Sequence, residues 1–251
     1  MTQTAAGAAW YAYAVVGPVA PGLREALGDE LDLVEGDGLG VVVSQVPLAE
    51  FGEDALPDRL NDRAWLEEKA RRHESVLQRL LPVATVVPLR FGSIHRDRTA
   101  VAEFLADGRD EFARTLDRLR GRVEIGVKIW RGDPAPGERE SRPATGREYL
   151  EQRKAARVRA SAAAAELDET LREIHRRLLA VSEAGVLNRP QPRELTGTDR
   201  EMLVNAAYLV EATDDRLVSE VAGLRDAHPD LVFDVTGPWA PYNFVDAGDD
   251  G

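Results

Sequence analysis

PVATVVPLRFGSIHRD, residues 82–97, is the stretch around which the rest of the chain is organised. Its first half is apolar and rich in valine, and it leads to the turn-forming Gly92, which predicts a short strand covered on both faces. Pro88 cannot donate to a sheet ladder, so we expect it at a sheet edge, at a bulge or at the strand's end. Arg90 and Phe91 follow where the strand stops, and there the guanidinium can tie loops together or meet a partner. The pattern favours the structural role.

The segment that precedes this stretch predicts three more strands. Residues 5–16 are almost continuously apolar, but no Lys or Arg precedes them and they are too short to span a membrane, so we expect a first strand there. Alternation along that strand predicts two faces, with Trp10, Ala12, Ala14 and Val16 on one side and Tyr11, Tyr13 and Val15 on the other. Residues 31–35 and 39–46 flank Gly36-Asp37-Gly38, which indicates a hairpin.

Helices complete the first half. Asn61 or Asp62 is a good N-cap for a helix that continues to about Leu81 and presents one apolar stripe. His73 lies on that stripe, which favours a packed, hydrogen-bonded core histidine over a ligand or a catalytic base. Two shorter helices follow, the first capped by Asp97 or Thr99 and the second over 110–119, and Gly121 closes this half.

The second half predicts an alternation of strands and helices. A strand over 123–130 places Glu124, Lys128 and Trp130 opposite its apolar face. Residues 132–146 hold three prolines, three glycines and many charges, which predicts an exposed loop. The remaining elements are a long helix over 147–184, a loop over 185–198, a strand over 202–210, a helix over 214–227 and a strand over 231–235.

This order predicts an α+β chain of two α/β domains. Residues 1–120 would form an N-terminal α/β domain, and residues 121–251 a C-terminal, modified ferredoxin-like sandwich. One strand of the usual four is not evident in the sequence. A basic cluster in the long helix, Arg153, Lys154, Arg157 and Arg159, is interpreted as a solvated face in preference to a docking patch for an acidic partner.

Composition and spacing argue against several classes of function. The formal net charge of -12 repels phosphate backbones and anionic lipids, so we expect no nucleic-acid or membrane partner. Cysteine is absent, which leaves no disulfide framework and no thiolate chemistry. Ser93, His95 and Asp97 supply the residue types of a triad, but neighbours on one strand face are about 6.6 Å apart, which is too far. Phosphate-binding glycine loops and histidine pairs at metal-ligand spacing are also missing, so we expect no catalytic, cofactor or metal site.

Residues 236–245, TGPWAPYNFV, combine a restricted backbone with three aromatic residues. In one interpretation the segment is a lid over the core of the second domain, and Trp239 fills that core. In the other, some of its rings stay partly exposed and form a docking surface with Arg90 and Phe91. The restricted turns favour the lid for Trp239.

Several separated stretches resemble the gas vesicle protein family GvpL/GvpF in sequence, order and spacing. They are WYAYAVV, VVVSQVPLAEFGEDAL, WLEEKARRHESVL, VVPLRFGSIHRD, GVKIW, GREYLEQRKAAR, MLVNAAYLV and TGPWAPYNFV. The clearest are Pro88-Leu89-Arg90-Phe91-Gly92 and Gly237-Pro238-Trp239 with Pro241-Tyr242. Departures from the family pattern are mild: Ala240 and Asn243 stand where proline and serine are commoner.

The resemblance implies a non-enzymatic, cytoplasmic and gas-vesicle-associated role. Such a protein would be an accessory or minor structural component that binds the shell protein GvpA, with other gas vesicle accessory proteins as further partners, and assists nucleation and assembly. It also implies two α/β domains, the second ferredoxin-like. The residues that we expect at a GvpA-binding surface are Arg90, Phe91, Trp239, Tyr242 and Phe244. The alternative from another class is a small-molecule-binding regulatory protein built on the ferredoxin-like domain.

Overall fold

The structure is a computed structural model that describes residues 7–18, 22–52, 55–132, 146–192 and 197–245. These residues divide into two compact units. The first comprises the described residues up to Glu124 together with those from Pro238 onward, and the second is Ile125–Gly237. The chain therefore leaves the first unit within one strand and returns to it within another. Whether 1–120 and 121–251 fold as separate domains stays a prediction.

The first unit is built on an antiparallel sheet. Its strands are β1 (Ala8–Val16), β2 (Asp32–Gly36), β3 (Leu39–Pro47), β4 (Val86–Pro88) and β5 (Ile94–His95). They are ordered β2-β3-β1-β4, and β5 also pairs with β1. The helices are α1 (Leu23–Leu27), α2 (Leu48–Phe51), α3 (Leu56–Asn61), α4 (Arg63–Leu80), α5 (Arg98–Asp107) and α6 (Arg109–Leu119), and a 3₁₀ helix covers Tyr242–Phe244.

Several local predictions are confirmed here. Asp37 and Gly38 have φ values of 49° and 80°, the left-handed conformation that a tight hairpin between β2 and β3 requires. The Asp62 side chain accepts from Ala64 N and Trp65 N and so caps α4. Pro88 ends β4, which lies at the edge of the sheet, where its missing N–H costs no ladder bond.

The predicted faces of β1 are wrong beyond Tyr13. The pairing with β3 runs from Ala12 opposite Val43 to Ala14 opposite Val42, so Tyr13 is an extra residue in β1. Such a bulge reverses the alternation of the residues that follow. As a result Ala14 packs in the same core cluster as Tyr11 and Tyr13 instead of on the opposite face.

The second unit follows the order strand, helix, strand, strand, helix, strand. Its elements are β6 (Arg122–Arg131), α7 (Gly146–Ala180), β7 (Ala184–Asn188), β8 (Met202–Glu211), α8 (Arg216–Ala227) and β9 (Leu231–Trp239). The strands form a second antiparallel sheet in the order β7-β8-β6-β9. The described residues therefore form a mixed α and β fold with two antiparallel sheets.

The structure corrects two sequence expectations in this half, the end of the long helix and the loop after it. The long helix ends at Ala180, and the strand that was not evident lies at 184–188, inside the segment assigned to the end of the helix and a loop. Gly185 suits that strand because a Cβ there would lie 2.9 Å from the Tyr208 ring. On the face of β6 opposite its apolar residues, Glu124 and Trp130 are also buried, at 7% and 8% exposure. Of the predicted loop 132–146, residues 133–145 lie outside the described residues.

Candidate functional site

His73 is the centre of a hydrogen-bonded aromatic cluster in the first unit. The side chain projects from α4 and is 4% exposed. The Tyr11 hydroxyl of β1 lies 2.8 Å from its Nδ1, and the Tyr242 hydroxyl of the C-terminal 3₁₀ helix lies 2.6 Å from its Nε2. A strand, a helix and the C-terminal segment therefore meet at one imidazole, and the prediction of a packed, hydrogen-bonded core histidine is confirmed.

The neighbours of His73 determine its protonation state. Gly92 N donates to the Tyr11 hydroxyl at 3.1 Å, and the same hydroxyl is hydrogen-bonded to Nδ1. On a neutral imidazole one ring nitrogen donates and the other accepts, so one of the two tyrosines donates to the ring and the other accepts from it. Burial lowers the pKa of His73 to about 4, although a hydrogen bond with the Leu89 backbone opposes that shift. The imidazole is therefore neutral near pH 7 and joins three elements without carrying charge.

Phe91 and Arg90 lie at the edge of this cluster. The Phe91 ring centroid is 6.1 Å from both Tyr11 and His73, and the ring packs half-buried against the core. Arg90 is exposed at the end of the strand segment. The turn after it is fixed by Ser93, whose N–H and hydroxyl both donate to Arg90 O, at 3.2 and 2.7 Å.

The C-terminal segment 238–245 is held to the first unit by polar contacts as well as by Tyr242. Gln78 Nε2 donates to Pro238 O at 2.8 Å, and Arg118 Nη2 donates to Val245 O at 3.2 Å. Ala240 and Phe244 are almost fully buried, at 0% and 1% exposure. The segment is therefore an integral part of the first unit.

Glu124 and Asn243 form a contact that the sequence analysis missed. Asn243 donates from its backbone N to Glu124 Oε2 at 2.9 Å and from its Nδ2 to Oε1 at 2.7 Å. Burial raises the pKa of the Glu124 carboxyl, and the two hydrogen bonds from Asn243 partly offset that rise. The only sequence signal was the one acidic residue of the strand, because its partner lies 119 positions away.

The five residues predicted for a partner surface occupy different environments. Arg90 is exposed, Phe91 and Tyr242 contact His73, and Trp239 is half-buried at the end of β9. Phe244 is buried in the core, which removes it from any docking surface. The lid interpretation is also wrong in its location, because the segment packs on the first unit instead of on the core of the second. Its buried side chains are Ala240 and Phe244, whereas Trp239 is only half-buried.

Tyr11 and Tyr13 also line a cleft of about 160 Å³. Trp65 Nε1 and Lys69 Nζ lie 3.1 and 3.2 Å from the Glu50 carboxylate at its rim, and these bonds hold the pKa of Glu50 below its usual value. Lys69 is therefore paired with Glu50, and an anionic ligand would have to break that ion pair in order to bind the lysine. We assign no ligand to this cleft.

The three residues that supply the residue types of a catalytic triad make structural contacts instead. Ser93 bonds to Arg90 O, Asp97 accepts from Ala100 N at 2.8 Å as the cap of α5, and the His95 ring packs 5.1 Å from Phe104. Among the described residues, no three His, Asp or Glu side chains lie together as a potential metal site. In the part of the chain that the structure describes, no helix is both long and apolar enough to cross a membrane.

Comparison with known proteins identifies similar chains along almost the whole length. The family model described as gas vesicle synthesis protein GvpL/GvpF matches residues 9–246. Gas vesicle protein L of Streptomyces sp. strain CB03234 is 37% identical over 94% of this chain and 92% of its own length. Gas vesicle protein F of the same strain is 28% identical over 94% of this chain and 99% of its own length.

A solved structure shares the fold. The crystal structure of the gas vesicle protein GvpF from an Anabaena species superimposes with a TM-score of 0.66 at 17% identity, and the match covers 96% of this chain and 98% of that one. At 17% identity the structural similarity establishes the fold alone. The family match rests on the sequence comparison.

Proposed function

Because the chain belongs to the gas vesicle synthesis protein family GvpL/GvpF, we propose that it is a non-enzymatic accessory or minor structural protein that binds the shell protein GvpA and assists gas vesicle nucleation and assembly. The observation that carries this proposal is the family match over residues 9–246, which includes both units. The protein would work in the cytoplasm on growing vesicles, with GvpA and other gas vesicle accessory proteins as partners.

We propose that Arg90, Phe91, Trp239 and Tyr242 contribute to the GvpA-binding surface. Arg90 is exposed, and each of the three rings is partly accessible, as an anchor for an apolar partner must be. Tyr242 and Phe91 are fixed against His73, so their orientation costs little entropy on binding. Phe244 belongs to the support beneath them rather than to the surface.

Copurification of the full-length protein with GvpA tests the function. Arg90→Ala and Trp239→Ala should each reduce the recovered GvpA by about ten-fold or more, since arginine and tryptophan hot spots typically contribute about 2 kcal/mol or more. Arg96→Ala is the matched control, because Arg96 is 76% exposed and carries the same charge in the same segment. Absence of GvpA from the wild-type complex would overturn the function, whereas equal recovery with all variants would overturn only this surface.

We further propose that the chain is an L-type member of the family. Its higher identity to the L protein than to the F protein of one Streptomyces strain supports that assignment. Expression of this chain in that strain should restore vesicles after deletion of its L protein and not after deletion of its F protein. The reverse pattern would assign it to the F type.

For the second unit we propose a modified ferredoxin-like fold. The β–α–β–β–α–β element order and the strand order β7-β8-β6-β9 support it, and the 35-residue α7 is the modification. A crystal structure of the protein with a different strand order in this sheet would refute the assignment.

A further inference from the structure

The N-terminal part of α7 is a largely exposed helical surface. From Leu150 to Glu166 every residue is exposed except the half-buried Ala156, and Leu150 and Val158 are 66% and 62% exposed. Burial on this helix begins at Leu167 and is complete only at Ile174 and Leu178. More than four helical turns therefore lie in solvent.

Charge is segregated along this surface. Residues 147–159 hold five basic and two acidic side chains, whereas residues 166–173 hold four acidic and one basic. Between them lies Ser161-Ala162-Ala163-Ala164-Ala165, whose small side chains allow another helix to approach closely. Because the whole protein carries a net charge of -12, a basic segment of this kind is an unusual feature of its surface.

The side chains on one exposed face of the helix are spaced symmetrically about a central point. It consists of six residues at spacings of three, four, seven, four and three: Glu151, Lys154, Val158, Ala165, Glu169 and Arg172. At about 100° per residue all six fall within an arc of about 60°. The spacings are symmetric about the peptide bond between Ser161 and Ala162.

The charges on this face are complementary to those of the same face on an antiparallel second copy. If a second copy of the helix lies antiparallel with that bond as the centre, each Lys154 comes level with an acid, Glu169, and each Arg172 comes level with Glu151. Val158 comes level with Ala165, and the small residues meet in the middle. Arg172 already pairs with Glu169 within one helix, so Lys154 of the second copy would join an existing ion pair as a third member. Opposite charges therefore meet at four levels of the interface.

We propose that the protein forms a two-fold symmetric dimer in which the exposed part of α7 packs antiparallel against the same helix of a second copy, centred between Ser161 and Ala162. The occupant is fixed by charge complementarity, because the acids that match Lys154 and Arg172 in spacing are Glu169 and Glu151 of the same helix in a second copy. A closed two-fold contact of this kind uses one surface twice and forms no filament.

Single cysteines test the geometry in the full-length chain, which has none of its own. Ser161→Cys should oxidise to a disulfide-linked dimer, because the residue lies beside the two-fold axis. Arg159→Cys, about 160° around the same helix from Ser161, is the control and should form no disulfide-linked dimer under the same oxidation.

Mixed cysteines test direction and register. Val158→Cys and Ala165→Cys proteins should form a mixed disulfide when combined, while neither should crosslink with itself. In the antiparallel dimer the two copies of either residue are displaced by about 10 Å along the axis, which is beyond the reach of a disulfide. Self-crosslinking of Val158→Cys would indicate parallel helices and overturn the proposal.

Charge reversal tests the recognition itself. Sedimentation equilibrium of the wild type should give a dimer that dissociates as salt is raised. Lys154→Glu should weaken it by about ten-fold or more, because an acid then faces Glu169, and the double variant Lys154→Glu with Glu169→Lys should restore it. Arg159→Glu changes the net charge equally on the opposite side and should have no effect. A wild type that stays monomeric at low salt, or a dimer indifferent to Lys154→Glu, would overturn the proposal.

Discussion

His73 makes the stability of the first unit depend on pH. Its pKa is about 4 in the folded protein against an ordinary value of 6.5, so between those values the unfolded chain binds a proton that the folded protein does not. Stability is therefore complete above pH 6.5 and is lost as pH falls towards 4. By linkage, the loss between pH 7.5 and 4.5 is about 2 to 3 kcal/mol from this one group.

Urea unfolding of the wild type and of His73→Gln at several pH values measures this contribution. Other groups also titrate in acid, including Glu124, whose raised pKa acts in the opposite direction, and both proteins retain them. The difference between the two pH profiles therefore isolates His73. Parallel profiles would mean that the imidazole is charged or solvated in the folded protein, contrary to its hydrogen bonds with Tyr11 and Tyr242.

Phe244 and Trp239 should differ sharply in their effect on stability. Phe244 is 1% exposed, so Phe244→Ala should cost about 3 to 5 kcal/mol of unfolding free energy. Trp239 is only half-buried, and Trp239→Ala should cost on the order of 1 to 2 kcal/mol, because part of its surface is already in water. Thermal or urea unfolding of the two variants checks the order, and a larger loss for Trp239→Ala would contradict this assignment of the core.

Among the elements, the turn between β4 and β5 depends on Gly92. Its φ of 84° is left-handed, yet a Cβ at this position would contact nothing within 4 Å. Gly92→Ala should therefore destabilise the protein by about 1 kcal/mol through the backbone alone. Gly17→Ala is the matched control, since Gly17 also has open space and no left-handed φ. Equal unfolding free energies for the two variants would show that the turn relaxes at no cost.

Elements whose signal is local were predictable from the sequence. The hairpin at Asp37-Gly38, the Asp62 cap of α4 and the edge position of Pro88 each depend on the conformation or hydrogen-bonding capacity of a few adjacent residues. The bulge at Tyr13 was not predictable, because an extra residue in one strand is defined only by its partner strand. The short strand β7 was missed for the same reason: its five residues become a strand by pairing with β8.

The candidate site, too, could be predicted only where its signal is local in the sequence. His73 was identified because its own helix places it on an apolar stripe. Its partners Tyr11 and Tyr242 lie 62 and 169 positions away, and no spacing rule connects them. Asn243 has no local sequence signal, yet it binds the buried Glu124 carboxylate. The importance of these side chains depends on contacts between residues that are far apart in the sequence. Composition and periodicity carry no information about such contacts.

At the scale of the whole molecule, the first unit depends on residues from widely separated parts of the chain. Ala240 and Tyr242 pack in the cluster formed by β1 and α4, and the Glu124 carboxylate binds Asn243. A chain that ends at residue 120 would lack all of these groups. The second unit, by contrast, is one continuous segment with its four-stranded sheet. We therefore expect the two units to differ in whether they unfold cooperatively when each is produced alone.

Fragments test this difference. Fragment 125–237 should unfold cooperatively by itself, because it retains its sheet and both helices, whereas fragment 1–120 should not, because its core lacks the buried Ala240 and Phe244. Adding a peptide of residues 236–245 to fragment 1–124 should restore a cooperative transition, and the same peptide carrying Phe244→Ala should fail. Circular dichroism during urea titration follows each transition. Cooperative unfolding of 1–120 without the peptide would show that the C-terminal segment contributes little to the core and would support the domain boundary predicted from the sequence.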